Sequence, residues 1–186
     1  MRQHALSASK SNLVFHGFCD AAENSVASLR ERLDPAALDR AVDMLARAET
    51  VYLIGLRRSF PIASYMAYAF GKLGVRSILI DAVGGLAAEQ LTFATRRDAV
   101  LAVSFTPYAS ETVALAQAAA ARQVPIVSIT DSPFSPLART ADLWIEVVES
   151  NFECFRSMAA TLALAMTLTV AIAEKRGQAE PRIRGT

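Results

Sequence analysis

Five short apolar runs, Val51 to Ile54, Ser77 to Ile80, Ala99 to Val103, Ile126 to Ile129 and Leu143 to Val148, constrain this chain more than any other feature. Most lack the apolar/polar alternation of a strand with one wet face, so they read as strands buried on both faces. The segments between them have helical character, and a helix between two such strands implies a parallel crossover. The first crossover helix starts near Ser59 with Pro61 in its first turn, turns Ile62, Met66, Ala69, Phe70 and Leu73 inward, and stops at Gly74. Further helices are expected over 86–95 and 109–122, with a short one near 134–139. The expected fold is a three-layer α/β/α sandwich around a five-stranded parallel sheet, for which a flavodoxin-like order is assumed.

The flanks add helices. Residues 1–16 show no clear period and read as a loose arm, whereas Gly17 to Arg32 places Phe18, Ala22, Val26 and Leu29 at helical spacing. Asp34-Pro35 opens a second helix running through Ala48, with an aspartate cap, proline at the first helical position, and Leu38, Val42 and Leu45 on one face. From Met158 to Ala173 the chain is apolar apart from threonines. That stretch is about sixteen residues, short of the ~20 that cross a bilayer, and Arg156 and Glu174 flank it closely. A helix apolar on most sides is buried, in a core or between subunits, so a homodimer or homotetramer is expected. With 186 residues and 53% hydrophobic content there is enough for one substantial core. One domain is expected over 17–176, with a tail at 177–186.

Charge and rare residues narrow the function classes. Nineteen basic against eighteen acidic residues leave a net charge of +1, and no basic stripe is present to hold nucleic acid as the main partner. Cys19 and Cys154 form neither a disulfide scaffold nor a zinc motif, which suits a reduced, cytoplasmic setting. The first fifteen residues contain no apolar signal region, and no membrane partner is expected. No metal or cofactor motif is legible. His4 and His16 both lie in the N-terminal arm, so the sheet region has no histidine for neutral-pH acid/base work.

The candidate site follows from the expected topology. In an open parallel sheet, ligands bind beyond the carboxyl ends of the strands where the order reverses. Here that brings together Gly55-Leu56-Arg57-Arg58-Ser59 and the hydroxyl-rich run Ser104-Phe105-Thr106-Pro107-Tyr108-Ala109-Ser110-Glu111-Thr112. Gly55 permits a tight turn, and Ser59 offers a cap or a ligand hydroxyl. Arg57 and Arg58 are either solvated surface or a fork for phosphate or carboxylate. Ser104, Thr106, Ser110 and Thr112 either cap and form the turn or bind a ligand. Tyr108 is a turn residue or a pocket wall, and Glu111 suits a helix start regardless of function. Val83-Gly84-Gly85 reads as a loop over the same edge. Glu149 and Glu153, after the last strand, either cap the final helix or accept bonds from a sugar hydroxyl, or serve as a base.

With these residues placed, the chain resembles a sugar isomerase (SIS) domain, most closely the effector-binding half of RpiR-type transcription regulators. The resemblance spans about 35–175 and rests on several segments. These are Leu33-Asp34-Pro35-Ala36-Ala37-Leu38-Asp39-Arg40-Ala41, Val51-Tyr52-Leu53-Ile54-Gly55, the 104–112 run, Ile129-Thr130-Asp131-Ser132-Pro133, Ser135-Pro136-Leu137-Ala138 with Ala141-Asp142, and Phe155-Arg156-Ser157. It implies a five-stranded parallel sheet, dimers or tetramers, and a phosphorylated sugar as ligand. Two departures stand out. The family's first loop resembles Gly-x-Gly-x-Ser, and its second glycine is Arg57 here. The second resembles Ser-x-Ser-Gly-x-Thr-x-Glu, which falls on Ser104, Thr106, Pro107, Ala109 and Glu111, so Pro107 removes an N–H and Ala109 a hydroxyl. Arg57 or Arg58 is expected to supply charge for the lost donors, with Ser110 substituting locally. Too little chain precedes Val51 for the helix-turn-helix domain of such regulators, so DNA is expected as a partner only through a domain absent from this chain. The expected function is a non-catalytic effector domain binding a small anionic sugar derivative. The alternative is a stand-alone aldose-ketose phosphosugar isomerase with Glu153 or Glu149 shuttling the proton.

Overall fold

A computed structural model describes residues 9–177. In chain order the elements are α1 (Lys10–Arg32), α2 (Pro35–Arg47), β1 (Val51–Ile54), α3 (Phe60–Lys72), β2 (Ser77–Ile80), α4 (Ala87–Leu91) and β3 (Ala99–Val103). There follow α5 (Ser110–Ala121), β4 (Ile126–Thr130), α6 (Pro136–Thr140), β5 (Leu143–Glu146), β6 (Asn151–Phe152), β7 (Phe155–Arg156) and α7 (Ala159–Lys175). Strands β1 to β5 form one parallel sheet in the order β2-β1-β3-β4-β5. The expected three-layer α/β/α fold and flavodoxin-like order are therefore present. Central β1 is paired on both sides, Val51 matching Ser77 of β2 and Ala99 of β3.

Burial explains why the central strands read as unbroken apolar runs. Val51, Leu53, Ala99, Leu101 and Val103 face a core closed by α2, α3 and α7. Their neighbours Tyr52, Ile54, Val100 and Ala102 face a second core that includes Leu91 of α4, Leu115, Ala116 and Ala119 of α5, and Leu137 of α6. Alternate residues thus meet helices on opposite faces, so both faces of the central strands are mostly apolar. The apolar helix α7 buries Leu164, Leu168 and Ile172 in the first core, at 2%, 0% and 0% exposure. No described helix is long and apolar enough to cross a membrane.

Local signals place several ends. The Asp34 side chain accepts the Ala36 N–H at 2.9 Å, capping α2 with Pro35 in its first turn. Ser135 caps α6 and also accepts the Thr130 hydroxyl proton at 2.8 Å.

Three expectations differ from the structure, and one element is new. Helix α1 begins at Lys10, so residues 10–16 are helical and not part of a loose arm; Ser9 caps this helix by accepting the Asn12 N–H at 3.2 Å. Residues 1–8 of that arm, and 178–186 of the tail, lie outside the described residues. The segment 86–95 contains only one turn of helix, over 87–91. Strand β5 ends at Glu146 rather than Val148. Beyond it the chain makes an unforeseen antiparallel hairpin, β6–β7, with Phe152 opposite Phe155. Glu153 and Cys154 form its turn with φ of 47° and 64°, a conformation for which glycine or asparagine is the usual sequence signal.

Candidate functional site

The site lies where sequence order reverses in the sheet, between the ends of β1 and β3. A cavity of about 210 Å³ opens there, lined by Leu56, Arg57, Arg58, Ser59, Ser104, Phe105, Pro107 and Ala109. The two loops singled out from sequence therefore meet in one crevice.

Its first wall is a tight turn. A Cβ on Gly55 would stand 2.9 Å from the Ser59 carbonyl oxygen and 3.1 Å from the Ala63 Cβ, so only glycine lets the chain fold back under α3. Arg57 has a φ of 55°, the left-handed region that glycine enters without cost. It is the position at which the resembling loop carries its second glycine, and the backbone keeps the glycine conformation under an arginine side chain. Arg57 and Arg58 are both exposed, and Ser59 is buried beside them. Ser59 makes no side-chain capping bond to α3, contrary to one of the roles expected for it.

The second wall is held by a carboxylate. Asp131, immediately after β4, accepts the Thr106 N–H at 3.0 Å and the Tyr108 hydroxyl at 3.0 Å. It also pairs with Arg156 of β7 at 2.8 Å, with side-chain exposures of 11% for Asp131 and 15% for Arg156. Burial pushes the Asp131 carboxyl up, but the bonds from Arg156, Thr106 and Tyr108 and the charge of Arg156 outweigh it. The net result is a carboxyl held below its ordinary value. The Arg156 guanidinium also covers the Phe105 ring at 5.4 Å.

Three N–H groups of the β3 loop are bonded within the protein. The Ser104 N–H goes to the Ile129 carbonyl and the Ala109 N–H to the Ser104 hydroxyl, at 3.2 Å each. The Thr106 N–H is committed to Asp131, and Pro107 has none. Cationic side chains approach the same loop instead. The Thr106 carbonyl accepts from Arg58 and, at 3.3 Å, from Arg156. An anion entering this crevice meets the exposed guanidinium groups of Arg57 and Arg58.

The remaining expected residues divide. Ser104 lines the cavity, and Tyr108, half-buried, adjoins it through Asp131. Thr106 and Ser110 are exposed at the loop and at the start of α5. Thr112 is fully buried and its hydroxyl has no hydrogen-bond partner. Glu153 stands exposed on the hairpin turn and does not line the cavity. Glu149 is 5% exposed; its Oε1 accepts the Thr161 N–H at 2.7 Å and the Thr161 hydroxyl at 2.8 Å, anchoring the first turn of α7, and its Oε2 has no partner. Val83-Gly84-Gly85 forms a single helical turn after edge strand β2 and takes no part in the cavity. Asp131 and Arg156 were missed as site residues. Both stand in the motifs that carry the resemblance, but nothing local announces their pairing. Among the described residues, no group of three His, Cys, Asp or Glu side chains is placed to hold a metal.

Comparison with known proteins agrees with this geometry. The SIS domain family model matches residues 44–171. Arabinose 5-phosphate isomerase KdsD of Escherichia coli is 32% identical over 133 residues, covering 68% of this chain and 40% of that protein. The HTH-type transcriptional regulator HexR of Escherichia coli is 30% identical over 145 residues, covering 76% of this chain and 50% of that one. The chain thus spans half or less of the length of these relatives. Among solved structures, the sugar isomerase domain of an RpiR transcription factor from Sphaerobacter thermophilus superposes with a TM-score of 0.80 at 25% identity, covering 91% of this chain and 92% of that one. With the β2-β1-β3-β4-β5 sheet and a crevice at its switch point, this chain belongs to the SIS domain family.

Proposed function

We propose that this chain is the effector-binding SIS domain of an RpiR-type regulator, and that it binds a small anionic sugar derivative, such as a sugar phosphate, without transforming it. One observation carries the reading: Arg57 and Arg58 stand exposed at a crevice whose opposite loop has its Ser104, Thr106 and Ala109 N–H groups bonded within the protein and no N–H at Pro107. Guanidinium forks recognise phosphate and carboxylate by paired hydrogen bonds, and here they supply charge beside a loop that has lost the Pro107 N–H. Gly55, Ser59, Ser104, Thr106, Tyr108, Ser110 and Thr112 are proposed to complete the site, and Glu153 to approach it from the hairpin. The likeness to HexR and to the RpiR domain supports a sensing role. DNA contact would belong to a separate helix-turn-helix domain, and a cytoplasmic location is proposed with it. A homodimer or homotetramer is proposed from the apolar surface that Leu162 and Val170 of α7 leave exposed.

Thermal-shift and calorimetric titration with arabinose 5-phosphate, other sugar phosphates and sugar acids tests the reading. A true ligand at 100 times its Kd stabilises by about 2.7 kcal/mol. Arg57→Ala and Arg58→Ala each weaken binding by about tenfold, the loss of one charge-assisted contact. Binding that is unchanged in both variants would refute the role of the arginines.

A second reading, an aldose-ketose phosphosugar isomerase, is favoured by the likeness to KdsD and by the buried, unpartnered Oε2 of Glu149. Aldose-ketose interconversion needs one positioned base. Turnover of arabinose 5-phosphate that disappears in Glu149→Gln would establish it over the sensing role.

A further inference from the structure

We propose that Arg58 and Arg156 compete for the Thr106 carbonyl, so that an anion drawing Arg58 away tightens the β6–β7 hairpin and helix α1 onto the ligand crevice. The ligand half of this proposal rests on the anion site proposed above.

The connection runs through contacts in series. Arg156 is part of β7, and its guanidinium reaches Asp131 at 2.8 Å and the Thr106 carbonyl at 3.3 Å. Arg58 donates to that same carbonyl from the other side of the crevice. The carbonyl can accept both bonds, but doing so brings two like charges together, and the Arg156 bond is long for a charge-assisted contact. The Nε of Arg156 is buried without a partner, so its guanidinium has unused donor capacity. An anion is a better acceptor for the exposed Arg58 than a neutral carbonyl. Once Arg58 turns to it, the like charge beside Arg156 is withdrawn and Arg156 closes on the carbonyl.

The hairpin passes the change to α1. The Ser157 N–H bonds the Ser150 carbonyl at 2.9 Å, and the Ser150 N–H bonds the hydroxyl of Ser25, which is fully buried on α1. The Phe152 ring lies so close to Gly17 that a Cβ there would stand 2.3 Å from it, and Phe18 meets the same ring edge-on with 5.1 Å between centroids. Hairpin and helix are joined by close packing as well as by a hydrogen bond, so they shift together.

Hydrogen exchange on the full chain tests this with and without ligand. In the unliganded protein, Arg58→Ala imitates withdrawal of Arg58 and is expected to slow exchange about threefold at the Ser150 and Ser157 amides and along residues 13–20. Arg156→Met is expected to speed exchange at the same amides by about tenfold. Exchange that Arg58→Ala leaves unchanged or accelerates overturns the competition, as does Arg156→Met without effect. In the liganded arm, arabinose 5-phosphate at an occupancy fixed by calorimetry slows the same amides in the wild type but not in Arg156→Met. Occupied protein with unaltered exchange overturns the coupling. Absence of binding by this and other sugar phosphates refutes the anion-site reading instead, and the unliganded arm still decides the competition.

Discussion

Arg156 and Asp131 form a 2.8 Å ion pair at the sheet's carboxyl edge, and both side chains are largely withdrawn from water. The pair links a two-residue strand to the turn after β4, and through the Thr106 N–H it fixes the loop that walls the crevice. Removing one partner leaves a desolvated charge, which costs more than the pair itself contributes.

Arg156→Met and Asp131→Asn are each expected to destabilise the protein by about 2–4 kcal/mol, whereas the double variant loses less than the sum. Urea unfolding of all four proteins gives the coupling energy. A coupling near zero would show that the two side chains act independently.

The pH dependence has a definite sign. The Asp131 carboxyl lies below its ordinary value of 3.8 in the folded protein, so the unfolded chain takes up its proton first on acidification. Its contribution to stability is complete above about pH 5 and is lost as the pH falls through 3.8 and then through the lower folded value. Urea midpoints at pH 7, 5 and 3 should fall chiefly between the last two. The Asp131→Asn variant should show a shallower fall over that interval.

Arg57→Gly separates stability from binding. The left-handed backbone costs an arginine about 1–2 kcal/mol, and the greater unfolded freedom of glycine takes back about 0.5–1, so the variant should gain about 0.5 kcal/mol. It should also bind sugar phosphate about tenfold more weakly, having lost one guanidinium. A thermal melt and a titration on the same sample read both effects. The opposite change, Gly55→Ala, meets the Ser59 carbonyl oxygen at 2.9 Å and should cost about 1–3 kcal/mol.

Glu149→Ala should destabilise by about 2–3 kcal/mol, because the Thr161 N–H and hydroxyl lose their acceptor at the start of α7. Glu149→Gln keeps an acceptor oxygen and should cost less than half as much. If the two variants melt alike, the anchoring role assigned to Glu149 is wrong.

Helix α7 rests on the central core, and Leu168 is fully buried there. Leu168→Ala should cost about 3–5 kcal/mol by leaving a cavity, as read by chemical denaturation.

Periodicity in the sequence was enough to place five strands and to make them parallel, whereas their order, and with it the crevice at the switch point, was assumed from the fold class and is given by the structure. The strands follow from which residues of a local segment must leave water, and a strand such as Ala99–Val103 records double-sided burial in five consecutive residues. The loops that meet in the crevice were legible only with that assumed order, since topology places them once the strands and their order are known. The Asp131–Arg156 pair, the β6–β7 hairpin and the committed N–H groups of the β3 loop were decided only by the tertiary structure. The two charges lie 25 residues apart with no shared pattern, and the hairpin turn uses Glu153 and Cys154 where glycine or asparagine would have signalled it. Such polar partnerships depend on three-dimensional proximity at a strand end. A single sequence records the burial that folds the chain but carries no local mark of which distant charge will stand opposite.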